Sequence, residues 1–80
     1  MNMIKAAMAA SALPKRQSQV LKLLALGLLN KEMAARLNIS VNTVRNTRRV
    51  IYLKMGVNNS VEAARAAAVW NSAKGLVHLR

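Results

Sequence analysis

Apolar residues between positions 15 and 57 recur every three or four residues, in blocks separated by short breaks. They are Val20, Leu21 and Leu24 in the first block, Met33, Ala34 and Leu37 in the second, and Val44, Ile51 and Met55 in the third. Such spacing places apolar side chains on one face of an α-helix. The sequence predicts a first helix at about 15–26, a second helix that ends before Asn38, and a third that begins near Val41.

The break between the second and third helices is short, since only Asn38-Ile39-Ser40 separates the two patterns. Two short helices joined by a tight turn are typical of helix-turn-helix DNA recognition. Ser40 precedes Thr43 by three residues, so its hydroxyl is placed to accept a free backbone N–H at the start of the third helix. That helix start is also available to a phosphate.

A fourth helix is predicted after Asn58-Asn59, because Asn59 and Glu62 have the spacing of a capping box. Residues 1–12 are rich in alanine and precede Pro14, which favours a weak helix or a flexible linker outside the domain. Residues 71–80 are predicted to form a frayed tail, with Gly75 as a helix breaker. The sequence thus predicts an all-α, compact four-helix domain over residues 13–70.

The third predicted helix has a polar face opposite its apolar one. At about 100° per residue, burying the apolar stripe turns Asn42, Arg45, Asn46 and Arg49 outward. Arginine can donate two hydrogen bonds to guanine O6 and N7, and asparagine can pair with adenine N6 and N7 in the major groove. This face is therefore a candidate for reading bases in duplex DNA.

The charge balance is strongly basic: thirteen lysines and arginines face only Glu32 and Glu62, for a formal net charge of +11 on 80 residues. Nine of the thirteen lie between Lys15 and Lys54. A solubilising surface is the alternative explanation for such an excess. The arginines on the third helix favour a polyanionic partner instead.

The chain resembles the LuxR/GerE-type (LuxR/FixJ) four-helix DNA-binding domain from residue 13 to about residue 69. The matches run in register without a gap. They are Leu13, Arg16, Val20-Leu21, Leu24-Ala25, Gly27, Asn30-Lys31-Glu32, Ala34, Leu37, Ile39-Ser40, Thr43-Val44, Ile51, Lys54, Gly56-Val57 and Val61-Glu62-Ala63. The resemblance implies that the third helix enters the major groove and that Arg45, Asn46 and Arg49 face the bases.

The resemblance also implies phosphate contacts at the start of the second helix and around the turn. These map onto Asn30, Lys31, Ser40, Asn42 and Thr43, with Lys54 and Arg48 as further basic candidates. Arg48 falls near the packed edge of the third helix, so it either reaches a phosphate or extends outward. In the family the fourth helix often mediates dimerisation, which makes Ala64, Ala67, Ala68 and Trp70 the candidate contacts; otherwise these residues cover the first and third helices.

Several positions depart from the family pattern. Pro14, Gln17 and Gln19 stand where the first helix usually has a threonine cap and two glutamates, and Thr47 stands where a histidine is frequent. Leu29 replaces the usual hydroxyl residue before the second helix, so Glu32 lacks its reciprocal partner. We expect a cost in stability, unless Leu29 makes an apolar contact instead. Tyr52 and Leu53 are expected on the exposed side, without a role. The alternative is that either contacts a phosphate, a thymine methyl or a partner protein.

The favoured function is sequence-specific binding of double-stranded DNA by a bacterial transcription regulator, acting alone or as the C-terminal effector domain of a larger response regulator. A homodimer on a two-fold symmetric operator is expected, with RNA polymerase as a further contact. One alternative is an interaction module that pairs with related regulators or RNA polymerase through Leu26, Leu29 and Leu53. Another is a nonspecific basic binder of DNA or of a membrane surface.

Other classes of function find little support in the sequence. The chain has no cysteine, its only histidine is His78, and its two carboxylates are thirty residues apart. No catalytic, metal or cofactor site and no small-molecule ligand is therefore expected. Lys22 and Lys31 flank the longest apolar run, well short of the roughly 20 residues that cross a bilayer, so no membrane-spanning role is expected, and the favoured function has no membrane partner. A cytoplasmic location is expected.

Overall fold

The computed structural model describes the backbone of residues 2–78 and the side chains of residues 2–72. Within these residues the chain forms five α-helices and no strand. They are α1 (Met3–Ser11), α2 (Lys15–Ala25), α3 (Asn30–Leu37), α4 (Val41–Met55) and α5 (Ser60–His78). The all-α prediction is confirmed, and the four predicted helices correspond to α2, α3, α4 and α5.

The apolar stripes predicted for α2, α3 and α4 meet in one hydrophobic core. Val20, Met33, Val44 and Ile51 are its largest fully buried side chains. Leu21, Leu24, Ala34 and Met55 are also buried in this core, and the partly buried Leu28, Leu37 and Ile39 pack against it. The side chains predicted to face inward therefore do so, and they fix the rotation of α4 about its axis.

The turn between α3 and α4 is held by local hydrogen bonds. Asn38 ends α3 in the left-handed conformation, with φ 56° and ψ 47°, which asparagine tolerates better than most residues. The Ile39 N–H donates to the Ala34 carbonyl at 3.0 Å. Ser40 then begins α4, and its hydroxyl oxygen accepts the Thr43 N–H at 3.0 Å, as the sequence predicts.

Helix α2 is joined to the turn by a long side chain. The Arg16 guanidinium donates from Nη1 to the carbonyl of Leu37, in the last turn of α3, at 3.3 Å. Carbonyls in the last turn of a helix lack intrahelical partners and carry partial negative charge, so a cationic donor is favourable there. Arg16 thereby ties the scaffold helix to the helix-turn-helix unit.

Of the two alternatives predicted for residues 1–12, the helix is confirmed and the flexible linker is wrong over residues 3–11, which form α1. Asn2 caps it, its side chain accepting the Lys5 N–H at 3.0 Å. Ala6 and Ala10 are buried in the main core, and α1 packs mainly against α5. Small side chains on α1 and α5, including the fully buried Ala63 and Ala66, allow the two helices to approach closely. Pro14 does separate this helix from α2.

The predicted break at Gly75 is also absent, since α5 continues to His78. Its start agrees with the sequence. The Glu62 N–H donates to the Asn59 side chain at 3.0 Å, and the Glu62 carboxylate accepts the N–H of Asn58 at 2.7 Å. The reciprocal pair thus involves Asn58 as well as Asn59. The rest of the predicted tail, residues 79–80, lies outside the described residues.

Leu29, at the start of α3, allows a test of helix capping. The Glu32 carboxylate accepts the Leu29 N–H at 2.7 Å, but a leucine side chain cannot accept a bond in return. Leu29 is 59% exposed, so no substantial apolar burial replaces the missing cap. Leu29→Ser is expected to raise the free energy of unfolding by about 0.5–2 kcal/mol.

Urea denaturation of Leu29→Ser and of a Leu29→Ala control would measure this effect. Both variants remove the exposed leucine, but only serine supplies an acceptor for the Glu32 N–H. Equal stabilities of the serine and alanine variants would show that the missing cap has no cost.

Candidate nucleic-acid interface

One face of α4 points away from the core. Val44, Ile51 and Met55 are buried on the opposite side, which leaves Arg45 and Arg49 exposed. Asn42 and Asn46 are exposed beside them. At about 100° per residue, these four side chains occupy an arc of about 100° on the helix surface. The structure thus brings all the predicted base-facing residues together on one accessible ridge.

The two arginines of this ridge are one helical turn apart. Their Cα atoms are separated by about 6 Å along the axis, at about 1.5 Å per residue. Successive bases on one DNA strand are about 3.4 Å apart, so a helix lying along a groove would present these arginines to positions roughly two steps apart. Each guanidinium has the planar, forked donor geometry suited to guanine O6 and N7.

The side chains that the sequence predicts to face bases are not used elsewhere in the described part of the fold. In the part of the chain whose side chains are described, Arg45, Asn46 and Arg49 form no side-chain hydrogen bond, in contrast to Arg48. The Glu32 and Glu62 carboxylates each accept a backbone N–H at a helix start. The positive face of α4 therefore keeps donors and charge available for a ligand.

The predicted phosphate-contacting residues lie at the start of α3 and around the turn before α4. Lys31, Ser40, Asn42 and Thr43 are exposed, and Asn30 is half-buried. The hydroxyl oxygens of Ser40 and Thr43 are 2.8 Å apart, so one hydroxyl donates to the other. These residues flank the first turn of α4, the end of the helix where partial positive charge favours anions.

Arg48 lies at the packed edge of α4, as the sequence predicts, and it has partners in two helices. Its Nε and Nη2 atoms donate to the Tyr52 hydroxyl at 3.0 and 2.8 Å, and its Nη1 donates to the side-chain oxygen of Asn30. Its Cζ is 5.8 Å from the Tyr52 ring centroid, near the outer limit for a cation–π contact, so the hydrogen bonds are the stronger link.

Tyr52 is less exposed than the sequence predicts. It is half-buried and engaged by Arg48, whereas Leu53 beside it is 77% exposed, as expected. The spacing of Arg48 and Tyr52, four residues apart on a helix, was a signal for their contact. The bond from Arg48 to Asn30 had no such signal, since it joins residues 18 positions apart in different helices.

Lys54 lies on the side of α4 opposite to Arg48. Its Nζ donates to the side-chain oxygen of Gln17, in α2, at 2.9 Å. Because Gln17 is a neutral amide, this bond orients the ammonium group without neutralising its charge. Lys54 and Arg48 are therefore positioned on opposite sides of the ridge that Arg45 and Arg49 form.

The four candidate dimerisation residues of α5 differ in accessibility. Ala67 is 7% exposed and belongs to the chain's own core, so its prediction as a dimer contact is wrong. Ala64 is half-buried, whereas Ala68 and Trp70 are exposed. The physical reason is the packing of α1 and α2 against α5, which covers the part of the alanine surface that contains Ala67.

The described residues contain neither a membrane-spanning helix nor a cluster of metal ligands. No helix there has both the length and the apolar character needed to cross a membrane. The same part of the chain contains no group of three or more His, Cys, Asp or Glu side chains arranged to hold a metal ion.

The helix-turn-helix geometry and the basic ridge agree with the comparison to known families. Residues 11–67 match the family described as bacterial regulatory proteins, luxR family, and the chain belongs to this family. It therefore contains a helix-turn-helix DNA-binding domain of the kind found in bacterial transcription regulators. The family is one of regulatory proteins and not of enzymes.

Among curated proteins, the chain is similar to the transcriptional regulatory protein UhpA of Escherichia coli (strain K12). The two are 47% identical over 53 residues, which cover 66% of this chain and 27% of the relative. The chain thus spans about a quarter of the length of the relative that it matches.

Proposed function

We propose that the chain binds double-stranded DNA in a sequence-specific manner, as the DNA-binding part of a bacterial transcription regulator. The observation that supports this most directly is the exposed ridge of Arg45, Asn46 and Arg49 on α4. These side chains form no hydrogen bond with the described part of the chain, and they match the acceptor pattern of the major groove. Burial of the opposite face of α4 holds the ridge in place.

In this mechanism the base-facing and backbone-facing residues have separate tasks. Arg45, Asn46 and Arg49 contact base edges. The residues at the start of α3 and around the turn, together with Arg48 and Lys54, contact phosphates on the two sides of the groove. Phosphate contacts set the position and orientation of the domain on the duplex, and base contacts determine which sequence it prefers.

A two-fold dimer on DNA is part of the same proposal. The exposed surface of α5 offers Ala68 and Trp70, with Val61 and Val69 as further exposed apolar residues. A symmetric contact through this surface would place two α4 helices on related half-sites, and the operator would then be a palindrome. Contact with RNA polymerase and a cytoplasmic location belong to the proposal as well.

The proposal applies to the chain acting alone and to the chain as the C-terminal effector domain of a longer response regulator. All the residues assigned to bases or phosphates lie between Asn30 and Lys54, within the family match over residues 11–67. The DNA-binding surface is therefore contained in this domain in either arrangement.

Lys31→Ala tests the task assigned to the backbone contacts. Lys31 is exposed at the start of α3, and a lysine acts on phosphates as a point charge. Its loss is expected to weaken binding to all duplexes alike and to lower the slope of log affinity against log salt by about 1. Fluorescence anisotropy with duplexes of different sequence, over a series of salt concentrations, measures both quantities.

Lys22→Ala is the matched control, because it removes one exposed positive charge from α2, away from the residues assigned to DNA and to the dimer. An unchanged salt slope for Lys31→Ala, or a loss confined to one sequence, would contradict the phosphate role of Lys31.

A second candidate function is an interaction module that acts through apolar contacts. The observation that favours it is the exposure of Leu26 and Leu53, at 74% and 77%. Leu29, also exposed, would belong to the same surface. Regulatory activity that survives Arg45→Ala but is lost in Leu26→Ala or Leu53→Ala would support this function over direct DNA binding.

A further inference from the structure

A shallow cleft of ≈ 250 Å³ lies beside the base-facing ridge of α4, and its lining is strongly positive. The residues that line it are Asn30, Arg45, Arg48, Arg49 and Tyr52. Three of the five carry guanidinium groups, and none carries a carboxylate. A concentration of positive charge without a compensating acid favours an anion.

The hydrogen bonds of Arg48 determine which groups of the cleft remain free. A guanidinium has only donors, so the Tyr52 oxygen and the Asn30 side-chain oxygen must both act as acceptors toward it. This requirement fixes the orientation of the Asn30 amide, which a heavy-atom position alone would leave ambiguous. The Tyr52 hydroxyl oxygen and the Asn30 side-chain oxygen are thus both engaged by Arg48.

The groups that remain in the cleft are donors. With its oxygen accepting two bonds from Arg48, the Tyr52 hydroxyl directs its own proton away from the guanidinium. The Asn30 amide likewise turns its NH₂ group away from Arg48. Arg45 and Arg49 add guanidinium donors at the rim. A phosphate group presents only acceptor oxygens and negative charge, so it complements such a site in both hydrogen bonding and charge.

The start of α3 reinforces this preference. Asn30 is the first residue of the helix, whose first N–H groups lack intrahelical partners. Leu29 offers them no side-chain acceptor, and the Glu32 carboxylate accepts the N–H of Leu29. The absence of a hydroxyl cap therefore leaves a partial positive charge at the helix end beside Asn30.

We propose that Asn30, Arg48 and Tyr52 form a preorganised phosphate site that holds one backbone phosphate of the duplex at the edge of the groove. This inference rests on the proposed function and adds Tyr52 to the binding residues. Tyr52 and Asn30 donate to the phosphate oxygens. Arg48 contributes its own positive charge to the phosphate contact and also fixes the direction of its neighbours' donors.

Asn30→Asp gives the sharpest test, because it is expected to preserve or raise the stability of the fold and to weaken the binding of DNA. The aspartate still accepts from Arg48, and a negative charge in the first turn of a helix is favourable, so the variant should fold at least as stably as the parent chain. It replaces the NH₂ donors by a carboxylate that repels phosphate. We expect affinity for a duplex of about two helical turns to fall at least tenfold.

Tyr52→Phe removes only the hydroxyl group. It ends the bond that the hydroxyl donates to the phosphate and the two bonds that it accepts from Arg48. Duplex binding is expected to weaken about threefold to tenfold, without a change in the preferred sequence. Ser18→Ala is the matched control, since it removes a hydroxyl from α2, outside the cleft. Thermal unfolding of each variant shows whether any loss of binding comes from loss of structure.

The experiment has two arms, which distinguish a free phosphate from the phosphate of a duplex. In the first, inorganic phosphate is titrated into the full chain, and NMR follows the arginine Nε–H signals and the backbone N–H signals of residues 30–32. In the second, fluorescence anisotropy measures binding of a random-sequence duplex. Phosphate-dependent NMR shifts at the cleft that disappear in Asn30→Asp support the site. Weaker duplex binding by both Asn30→Asp and Tyr52→Phe, with unchanged binding by Ser18→Ala, supports it as well.

Parent-like behaviour of Asn30→Asp and Tyr52→Phe in both arms would overturn the proposed site. That result would leave the proposed function intact if the parent chain still binds the duplex. Conversely, a parent chain that binds inorganic phosphate at the cleft but no duplex would refute the proposed function, and with it the assignment of the cleft to a duplex phosphate. The two failures are therefore distinguishable.

Discussion

Replacing Arg45 and Arg49 together by alanine is expected to abolish the chain's preference for its target sequence while leaving much of its general affinity for duplex DNA. Each arginine is exposed on the ridge of α4 and is free to form a bidentate contact with one base. Each contact contributes about 1–3 kcal/mol of discrimination, and contacts to separate base pairs add roughly independently. Phosphate contacts from α3 and the turn remain in the variant.

The measurement is the ratio of affinities for a selected duplex and a scrambled duplex of the same composition, at fixed salt. A control chain with Lys5→Ala and Lys22→Ala loses the same number of charges from α1 and α2, outside the ridge. The control should bind both duplexes somewhat more weakly and keep the ratio. Equal losses on both duplexes for the Arg45 and Arg49 variant would show that these side chains supply only charge.

Ile51→Ala is expected to have the largest effect on stability. Ile51, on α4, is fully buried at 0% exposure in the hydrophobic core. Truncation of a buried isoleucine removes transfer free energy and leaves a cavity, at a cost of about 2–5 kcal/mol. A domain of this size has a total stability of roughly 4–12 kcal/mol, so the variant should be largely or partly unfolded at moderate temperature.

Val50→Ala is the matched control, because the adjacent side chain is exposed and belongs to the same helix. A change within about 0.5 kcal/mol is expected for it. Urea denaturation followed by circular dichroism measures both variants, and duplex binding of Ile51→Ala should fall in parallel with its folded fraction. Native stability of Ile51→Ala would contradict the position of Ile51 at the centre of the core.

The elements that carry the proposed interface were predictable because their signals are local. The periodicity of Val44, Ile51 and Met55 defines the buried side of α4 and thereby the direction of Arg45 and Arg49. Ser40 and Asn38 mark the turn through capping and left-handed backbone preferences, which depend on a few neighbouring residues. Both the helix-turn-helix unit and its exposed ridge follow from such short-range information.

The elements that were missed depend on contacts between distant parts of the chain. The buried residues of helix α1 are all alanines, so it shows no stripe of large apolar side chains, and its stability comes from packing against α5. The burial of Ala67 also depends on distant residues. Nothing near it in sequence indicates that α1 and α2 cover this side of α5. The bond from Arg48 to Asn30 likewise exists only once α3 and α4 are packed together.

The most direct test of base-specific recognition is selection of bound sequences from a random duplex library, with the chain alone at moderate salt. The proposal predicts enrichment of one motif with two-fold symmetry, and no such motif from the chain that lacks Arg45 and Arg49. Recovery of no motif from the parent chain, together with strong salt-sensitive binding to every duplex, would contradict sequence-specific recognition by α4.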